Sequence, residues 1–260
     1  MSDLEKGTLT TNIEGHVGWL TIKNPRNRNA MNLSMYTQIP KAVDELVGAN
    51  IRVIVVRGYG EEAFGAGSDI SEFDELRTNE NAKAYDAAEA QAHTALGSAP
   101  VPTIAMIHGA CRGGGLAIAL ACDLRFASKD ASFAAPPAKL GIAFPHLALK
   151  SLAYTIGDAH ARYLLLTAST IDSNEAFRIG LIHGISKKPD LEGIVHSVTS
   201  RICKLAPLSL AAAKISLANL KGEATDEQVR VALDNCYTSN DYQEGITAFL
   251  KKSAPNFDGT

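Results

Sequence analysis

The sequence predicts an α/β core followed by a helical C-terminal region, and three features of the 260-residue chain lead to this prediction. Short, nearly all-apolar runs at 51–58 and 102–109 are typical of strands buried on both faces of a sheet. Segments with helical patterning separate such runs in the first 140 residues. Beyond Pro145 the pattern becomes helical throughout. Strands interleaved with helices, then helices alone, indicate an α/β fold with a helical C-terminal part.

The individual elements follow from local signals. Alternating apolar residues over 13–23 predict a hairpin strand, and the NPRNRN cluster at 24–29 predicts a turn. A helix is expected from about Ser34, as its N-cap, to Val47. The next expected elements are a polar helical segment at 71–97, an apolar helix at 115–123, and short strands at 124–128 and 131–135. The last are helices at 159–167, 174–179, 190–205, 208–220 and 226–252.

Composition excludes several classes of function. With 46% apolar and 20% charged residues, the chain can form a substantial core. A net charge of −3 argues against nucleic acid or an anionic membrane as partner, and there is no run of 18 apolar residues. The N-terminus lacks a signal-peptide pattern and the cysteines are scattered, so we expect a cytoplasmic protein. No His or Cys spacing predicts a metal site.

Two glycine-rich segments contain the main chemical signal. They are AFGAGSDI at 63–70 and the stretch around CRGGG at 111–115. Each is predicted to run from a strand into a glycine turn that opens a helix, which exposes N–H groups without intrahelical acceptors. Two such neighbouring turns would hold one carbonyl oxygen between two N–H donors, as an oxyanion hole does. Neither segment matches a dinucleotide-binding, P-loop or nucleophile-elbow pattern.

Six motifs stand in order over essentially the whole chain: NPRNRNAMN, AFGAGSDI, PTIAMIHGACRGGGLAIALACDLRFAS, FAAPPAKLGIAFP, GLIHGI and EGITAFLKKSAPNF. In these motifs the chain resembles the crotonase superfamily, the enoyl-CoA hydratase/isomerase family. The resemblance implies a spiral ββα core that binds acyl-CoA at residues 1–190 and a helical trimerisation region at 191–260. It also implies a homotrimer or homohexamer, and coenzyme A as part of the substrate with no separate cofactor.

The resemblance assigns site residues as well. The implied oxyanion donors are the N–H groups of Ser68 and of Gly114, the middle glycine of GGG. Two fixed donors favour the charged oxygen of a thioester enolate over the neutral carbonyl. The implied neighbours of CoA are Arg26, Ala30, Ala66, Asp69 and Ile70. Phe249 and Lys252 match positions that approach CoA from a neighbouring subunit; the alternatives are a core position for Phe249 and a solvated charge for Lys252.

The chain departs from the hydratase pattern at two positions. Ala117 and Pro137 stand where hydratases of the family carry two glutamates, and neither residue can transfer a proton. Other members place an acid/base group eight or nine residues beyond the second position, here at Pro145 and His146. Because histidine titrates near neutrality, His146 is the catalytic candidate, and an ordinary residue at a helix start is the alternative.

Arg112 is also unusual, because family members carry a small or apolar residue just before GGG. We expect it either in a buried salt bridge with Asp123 or Glu72, or at a carboxylate of the substrate. Glu72 and Asp74 are further candidates to face the pocket from the helical segment.

These observations predict an acyl-CoA enzyme that works through an enolate, as a decarboxylase-like lyase or an isomerase rather than an efficient hydratase. Loss of CO₂ from a malonyl-type thioester forms the enolate without a base. In that reaction His146 would protonate the enolate carbon, and Arg112 would orient the departing carboxylate. The alternative is a non-catalytic acyl-CoA-binding protein, which the missing glutamates favour and the intact glycine turns disfavour.

Overall fold

The computed structural model describes residues 7–260, apart from the side chain of residue 79. The N-terminal segment used for the signal-peptide expectation therefore lies mostly outside the described residues. The described strands are β1 Thr8–Glu14, β2 Val17–Lys23, β3 Val53–Gly58, β4 Ala63–Gly65, β5 Thr103–Ile107, β6 Ala110–Arg112, β7 Leu124–Ser128, β8 Ser132–Ala134, β9 Thr170–Asp172 and β10 Gly184–Ser186. The described helices are α1 Leu33–Gly48, α2 Phe73–Leu76, α3 Asn79–Gly97, α4 Gly114–Ala121, α5 His146–Thr167, α6 Ser173–Arg178, α7 Leu191–Ile202, α8 Pro207–Leu220, α9 Asp226–Thr238 and α10 Asn240–Lys251.

The strands form two sheets. The larger has the order β1-β2-β3-β5-β7-β10, with an antiparallel β1–β2 hairpin and parallel pairing elsewhere. The smaller has the order β4-β6-β8-β9, parallel except for β8–β9. Since β4 and β6 are the strands that lead into the two glycine turns, their direct pairing brings these turns together.

Helices cover both faces of the larger sheet. Ile54 and Val56 of β3 belong to a large apolar cluster with residues of α1, α3 and α4. Val53 and Val55 point to the opposite face, where α7 supplies the partners. Burial on both faces of this strand explains the nearly all-apolar run at 51–58. The α/β architecture predicted from the sequence is confirmed.

Three predicted helix boundaries were wrong because a side-chain cap or a turn lies elsewhere. Asn32, not Ser34, caps α1: its side chain accepts the N–H of Met35 at 2.8 Å. The segment 71–97 is interrupted by a 3-10 turn at Ile70–Glu72 and the short α2 before α3 begins. The segment 226–252 is divided at the extended Ser239, whose hydroxyl accepts the N–H of Tyr242 and starts α10.

The prediction of helices alone beyond Pro145 was also wrong. β9 pairs with β8, and β10 lies parallel to β7 at the edge of the larger sheet. Strands of three residues are too short to show alternation. The predicted helix at 159–167 matches the second part of α5, which is separated from the first part, beginning at His146, by a kink at Gly157, where φ is 76°. None of the helices within residues 7–260 is long and apolar enough to cross a membrane.

Candidate active site

The first glycine turn is fixed by hydrogen bonds to residues 28–31. The N–H of Ala66 donates to the Arg28 carbonyl at 3.0 Å, and the Gly67 carbonyl accepts from the Met31 N–H at 2.8 Å. On the other side of Ser68, the N–H of Asp69 donates to the Met31 carbonyl at 2.7 Å. Both neighbours of Ser68 are therefore held by the main chain. The hydrogen bonds of the described residues include none from the Ser68 N–H.

The second turn lies directly against the first. Gly113 has φ of 48°, which favours glycine, and its N–H donates to the Ala134 carbonyl at 3.0 Å. A methyl group on Gly115 would overlap the carbonyl group of Gly65, so these two main chains approach more closely than any side chain allows. This contact places the start of α4 beside the end of β4.

The two expected donors are brought together by this contact. A Cβ built on Gly114 would lie 3.2 Å from the main-chain nitrogen of Ser68 and 2.8 Å from its hydroxyl oxygen. Gly114 is the first residue of α4, and a first helical N–H has no acceptor within its helix. Two adjacent N–H groups without protein acceptors can bind one oxygen atom that carries negative charge.

The asparagine-rich turn positions the first loop. Asn24 donates from its side chain to the Ala30 carbonyl at 2.9 Å, and Asn27 donates to the Asp69 carboxylate at 3.0 Å. Partial burial raises the pKa of Asp69, but hydrogen bonds from Ser71, Asn27 and Asn24 outweigh this effect and hold the pKa below its usual value. The structure thus joins the two segments expected near CoA. Arg26 lies in the 3-10 turn Pro25–Asn27, Ala30 is buried, and Ala66 and Ile70 line the cavity described next.

Asn29 is the central residue of this turn, and we expect Asn29→Ala to lower the free energy of unfolding by roughly 3 kcal/mol. Its side chain donates to the carbonyls of Tyr59 at 3.0 Å and Ala63 at 2.7 Å, and accepts the Asn24 N–H at 3.1 Å. Its φ is 58°, a conformation that asparagine tolerates better than alanine. Urea unfolding at fixed protein concentration measures the loss. Asn29→Gly removes the backbone strain of the alanine variant but does not restore the hydrogen bonds, so the glycine variant should also be less stable than the wild type. A loss below about 1 kcal/mol in both variants would contradict this role of Asn29.

Two adjacent cavities lie near the glycine turns. A small one of about 150 Å³ is lined by Ser68, Gly114 and Pro137, among others. A larger one of about 780 Å³ runs between α3 and the start of α5 and is lined by Ala117 and His146, among others. Residues that line both are Arg77, Glu89, Ile142, Ala143, Phe144 and Pro145. The two cavities are therefore neighbours that share a wall, and Ala117 lines the larger one with a short side chain.

Glu89 of α3 is a site carboxylate that the sequence reasoning missed. It accepts a hydrogen bond from the Ser68 hydroxyl at 2.9 Å, and the Arg77 guanidinium lies 3.0 Å from its other oxygen. The two side chains are only 5% and 10% exposed. Arg77 also stacks on the rings of Phe73 and Tyr85. A buried, charge-paired carboxylate thus lies beside one of the two expected oxyanion donors.

The environment of Glu89 affects its proton affinity. Burial raises the pKa of Glu89 above its ordinary value, and the positive charge of Arg77 offsets part of this effect. Tyr36 lies 2.9 Å from the Ser68 hydroxyl oxygen, and burial raises the pKa of Tyr36 well above its ordinary value. Since an ionised carboxylate only accepts, Ser68 donates to Glu89 and Tyr36 donates to Ser68.

A signal for Glu89 was present in the sequence. Buried residues of α3 fall at Tyr85, Ala88, Ala92 and Leu96, the spacing of one helix face. Glu89 lies on that same face, where a charged residue is rarely fully buried unless it is paired. A carboxylate at a core position of an otherwise apolar helix face was the signal.

The structure does not place Arg112 as predicted. Its side chain is exposed, and its nearest hydrogen-bonding partner is the Ser132 hydroxyl, 3.4 Å away. Asp123 instead pairs with Lys214 at 2.6 Å, and Glu72 accepts the N–H of Leu33 at 2.8 Å. The predicted salt bridge was therefore wrong, because both carboxylates have other partners. Arg112 lines neither cavity of the site.

The remaining predicted residues lie at different places. His146 is exposed at the first position of α5 and lines only the larger cavity. Phe249 lies on α10 with 84% of its surface exposed, beside a groove between the C-terminal helices. Lys252 caps the end of α10 with φ of 54°. Within the described part of the chain, no group of three His, Cys, Asp or Glu side chains could hold a metal ion.

The fold and the site define an α/β protein in which two glycine turns on paired strands bring the main chains of Ser68 and Gly114 together. A family model described as enoyl-CoA hydratase/isomerase matches residues 12–260. The chain belongs to the enoyl-CoA hydratase/isomerase family, and its fold is that of the crotonase superfamily. The family predicted from the sequence motifs is confirmed.

Individual relatives match over nearly their whole length. The chain is 29% identical over 255 residues to a short-chain-enoyl-CoA hydratase of Clostridium acetobutylicum, covering 96% of this chain and 97% of the relative. It is 30% identical over 242 residues to a crotonyl-CoA hydratase of Syntrophomonas wolfei, covering 92% and 93%. The crystal structure of an enoyl-CoA hydratase/carnithine racemase from Magnetospirillum magneticum superposes with a TM-score of 0.90 at 32% identity, covering 98% and 97%.

Proposed function

We propose that this protein acts on an acyl-CoA thioester through an enolate, with the thioester oxygen bound between the N–H groups of Ser68 and Gly114. The proposal rests on the close approach of position 114 to the Ser68 nitrogen, and neither main-chain N–H has a protein acceptor among the described residues. A fixed pair of donors stabilises negative charge without reorganisation during the reaction. The names of the relatives support a thioester of coenzyme A as the substrate class.

We further propose a lyase or isomerase reaction rather than efficient hydration. Ala117 and Pro137 line the two cavities where the family resemblance places the hydratase glutamates. Between the two remaining reactions, the position of Arg112 outside both cavities weakens the decarboxylase-like mechanism, because it removes the predicted partner of a departing carboxylate. The carboxylate of Glu89 inside the site favours isomerisation, which needs a base.

A panel of CoA thioesters tests this proposal. It should include a methylmalonyl thioester, assayed for CO₂ release, and a 3-enoyl thioester, assayed for conversion to the conjugated 2-enoyl isomer. Turnover of either supports the enolate mechanism. Binding of several thioesters without turnover of any would leave the non-catalytic acyl-CoA-binding alternative. A bound structure should show the thioester oxygen roughly 2.7 to 3.1 Å from both nitrogens, and any other position would contradict the proposed oxyanion hole.

The C-terminal helices are the proposed site of assembly into a homotrimer or homohexamer. Leu220, Phe249 and Leu250 are 78%, 84% and 75% exposed, and a groove of about 740 Å³ lies between α8, α9 and α10. Large apolar side chains exposed to this degree favour a protein interface. Phe249 lines this groove and Lys252 follows the end of α10, and we propose that both reach CoA bound to a neighbouring subunit.

We expect Leu250→Asp to convert the assembly to monomers, because it places a charge in the proposed apolar interface. Light scattering at micromolar concentration should give a mass of three or six chains for the wild type and of one chain for the variant. Gln243→Asp adds the same charge at an exposed position of α10 and should leave the mass unchanged. A monomeric wild type would contradict the proposed assembly.

A further inference from the structure

We propose that Glu89 is the acid/base residue that moves a proton at the acyl α-carbon, a role that replaces the glutamates missing at Ala117 and Pro137. This inference rests on the proposed function, since it requires a thioester bound at Ser68 and Gly114. Of the lyase and isomerase reactions proposed above, this role of Glu89 favours isomerisation, because isomerisation requires proton transfer at the α-carbon.

The first observation is the position of the carboxylate. Glu89 lines both cavities and lies 2.9 Å from the hydroxyl oxygen of Ser68, whose N–H is one of the proposed donors. The α-carbon is bonded directly to the thioester carbon. A substrate whose oxygen lies at the donors therefore has its α-carbon in the small cavity that Glu89 lines. His146 lines only the larger cavity and lies exposed at the start of a helix.

The second observation is that the carboxylate is held in place. Arg77 contacts both of its oxygens, at 3.3 and 3.0 Å, and the Ser68 hydroxyl donates to one of them. The guanidinium is fixed in turn between the rings of Phe73 and Tyr85. A base held by several contacts needs little rearrangement when it reaches the substrate.

The third observation concerns charge. Burial raises the pKa of Glu89 while Arg77 opposes this, so the group remains ionisable and is a stronger base than an exposed carboxylate. The groups that face it or share its cavities come from several elements. They are Tyr36 of α1, Arg77 before α3, Lys83, Tyr85, Asp86 and His93 of α3, and His146 of α5. Burial lowers the pKa of His93 to about 4, so this histidine is uncharged near neutral pH.

The proposed step is a proton transfer that balances within the site. A carboxylate oxygen of Glu89 takes a proton from the α-carbon, so that an O–H bond forms as the C–H bond breaks. The electron pair of that C–H bond forms a double bond to the thioester carbon. The carbonyl π pair moves to the oxygen held by the N–H groups of Ser68 and Gly114. When the proton on Glu89 is replaced by one from solvent, reprotonation of the α-carbon gives exchange, and protonation of the γ-carbon of an unsaturated chain gives isomerisation.

The test is exchange of the α-protons of butyryl-CoA in D₂O, followed by mass spectrometry. Wild-type protein should incorporate deuterium, and Glu89→Gln should lose at least 100-fold of the rate, the usual size of a general-base contribution. Glu89→Asp keeps a carboxylate and should recover part of the loss. Asp74→Asn removes a nearby carboxyl that lines neither cavity and should match the wild type.

The pH profile and binding separate catalysis from a structural role. The wild-type rate should rise with pH through an apparent pKa above the ordinary glutamate range, and Glu89→Gln should lose this dependence while it binds butyryl-CoA within about threefold of the wild type. Equal exchange in wild type and Glu89→Gln, or binding without exchange in the wild type, would overturn the role of Glu89 alone. No binding of butyryl-CoA by the wild type would overturn the proposed function and this inference together.

Discussion

Removal of the Gly114 N–H is expected to reduce kcat by about 10²- to 10³-fold on the most active thioester, because an oxyanion hole loses one of its two donors. Proline is the substitution that deletes this N–H, and it is tolerated at the first position of a helix such as α4. The loss corresponds to roughly 3 kcal/mol of transition-state stabilisation. Its physical origin is the charge that appears on the thioester oxygen only as the enolate forms.

The structure shows which control this experiment needs. A Cβ at position 114 would overlap the Tyr36 hydroxyl and crowd the Ser68 hydroxyl, so both variants are made in a Tyr36→Phe background, which removes the closer contact and leaves the Ser68 contact equal in the two. There, Gly114→Ala adds a Cβ and keeps the N–H, whereas Gly114→Pro adds a Cβ and removes it. We expect the proline variant to be at least 30-fold slower than the alanine variant, somewhat less than the full value of one donor. Equal rates for the two variants, with equal thermal unfolding, would contradict the donor role of Gly114.

Hydration of crotonyl-CoA by the wild-type protein is expected to be roughly 10⁴-fold or more slower than that of ordinary hydratases. Each general acid or base contributes typically 10² to 10⁴, and the two expected glutamates are replaced by Ala117 and Pro137. Glu89 stands at neither of these positions, so it does not supply the pair of acid/base groups that the family resemblance assigns to hydratases. Steady-state loss of the enoyl absorbance measures the rate.

Restoring the two carboxylates should raise this rate by at least 100-fold. The variant is Ala117→Glu with Pro137→Glu, since both positions line the site cavities. Ala117→Gln with Pro137→Gln is the matched control, because it adds side chains of the same size that cannot transfer protons. Thermal unfolding of both variants checks that the buried position 117 accepts the longer side chain. A wild-type rate comparable with hydratases would show that the acid/base groups lie elsewhere.

The sequence predicted the fold and the glycine turns because their signals are local. The run at 51–58 is apolar at every buried position, and AFGAGSDI shows a turn that only glycine-rich sequence can form. The predicted N-cap of α1 was displaced by two residues from the observed Asn32, because Ser34 is an equally good cap in isolation.

The carboxylate of the site was not predicted because its role depends on tertiary contacts. Glu89 stands 21 residues from Ser68 and 12 from Arg77, and nothing local indicates that α3 folds onto the first glycine turn. The salt bridge of Arg112 was predicted wrongly for the same reason. Its neighbours in the sequence are site residues, but its strand position directs the side chain to Ser132 and solvent.

The main-chain contact of Gly65 with Gly115 has a consequence for how members of such a family diverge. The spacing between the two N–H groups is set by covalent backbone geometry and strand pairing, with no side-chain rotamer involved. The walls of the larger cavity, by contrast, include side chains of α3 and α5, such as Ala90 and Leu147. Substitutions in these walls can change the shape of the cavity while the main-chain spacing stays fixed. New substrate preferences can therefore arise without disturbing the backbone that holds the two proposed donors.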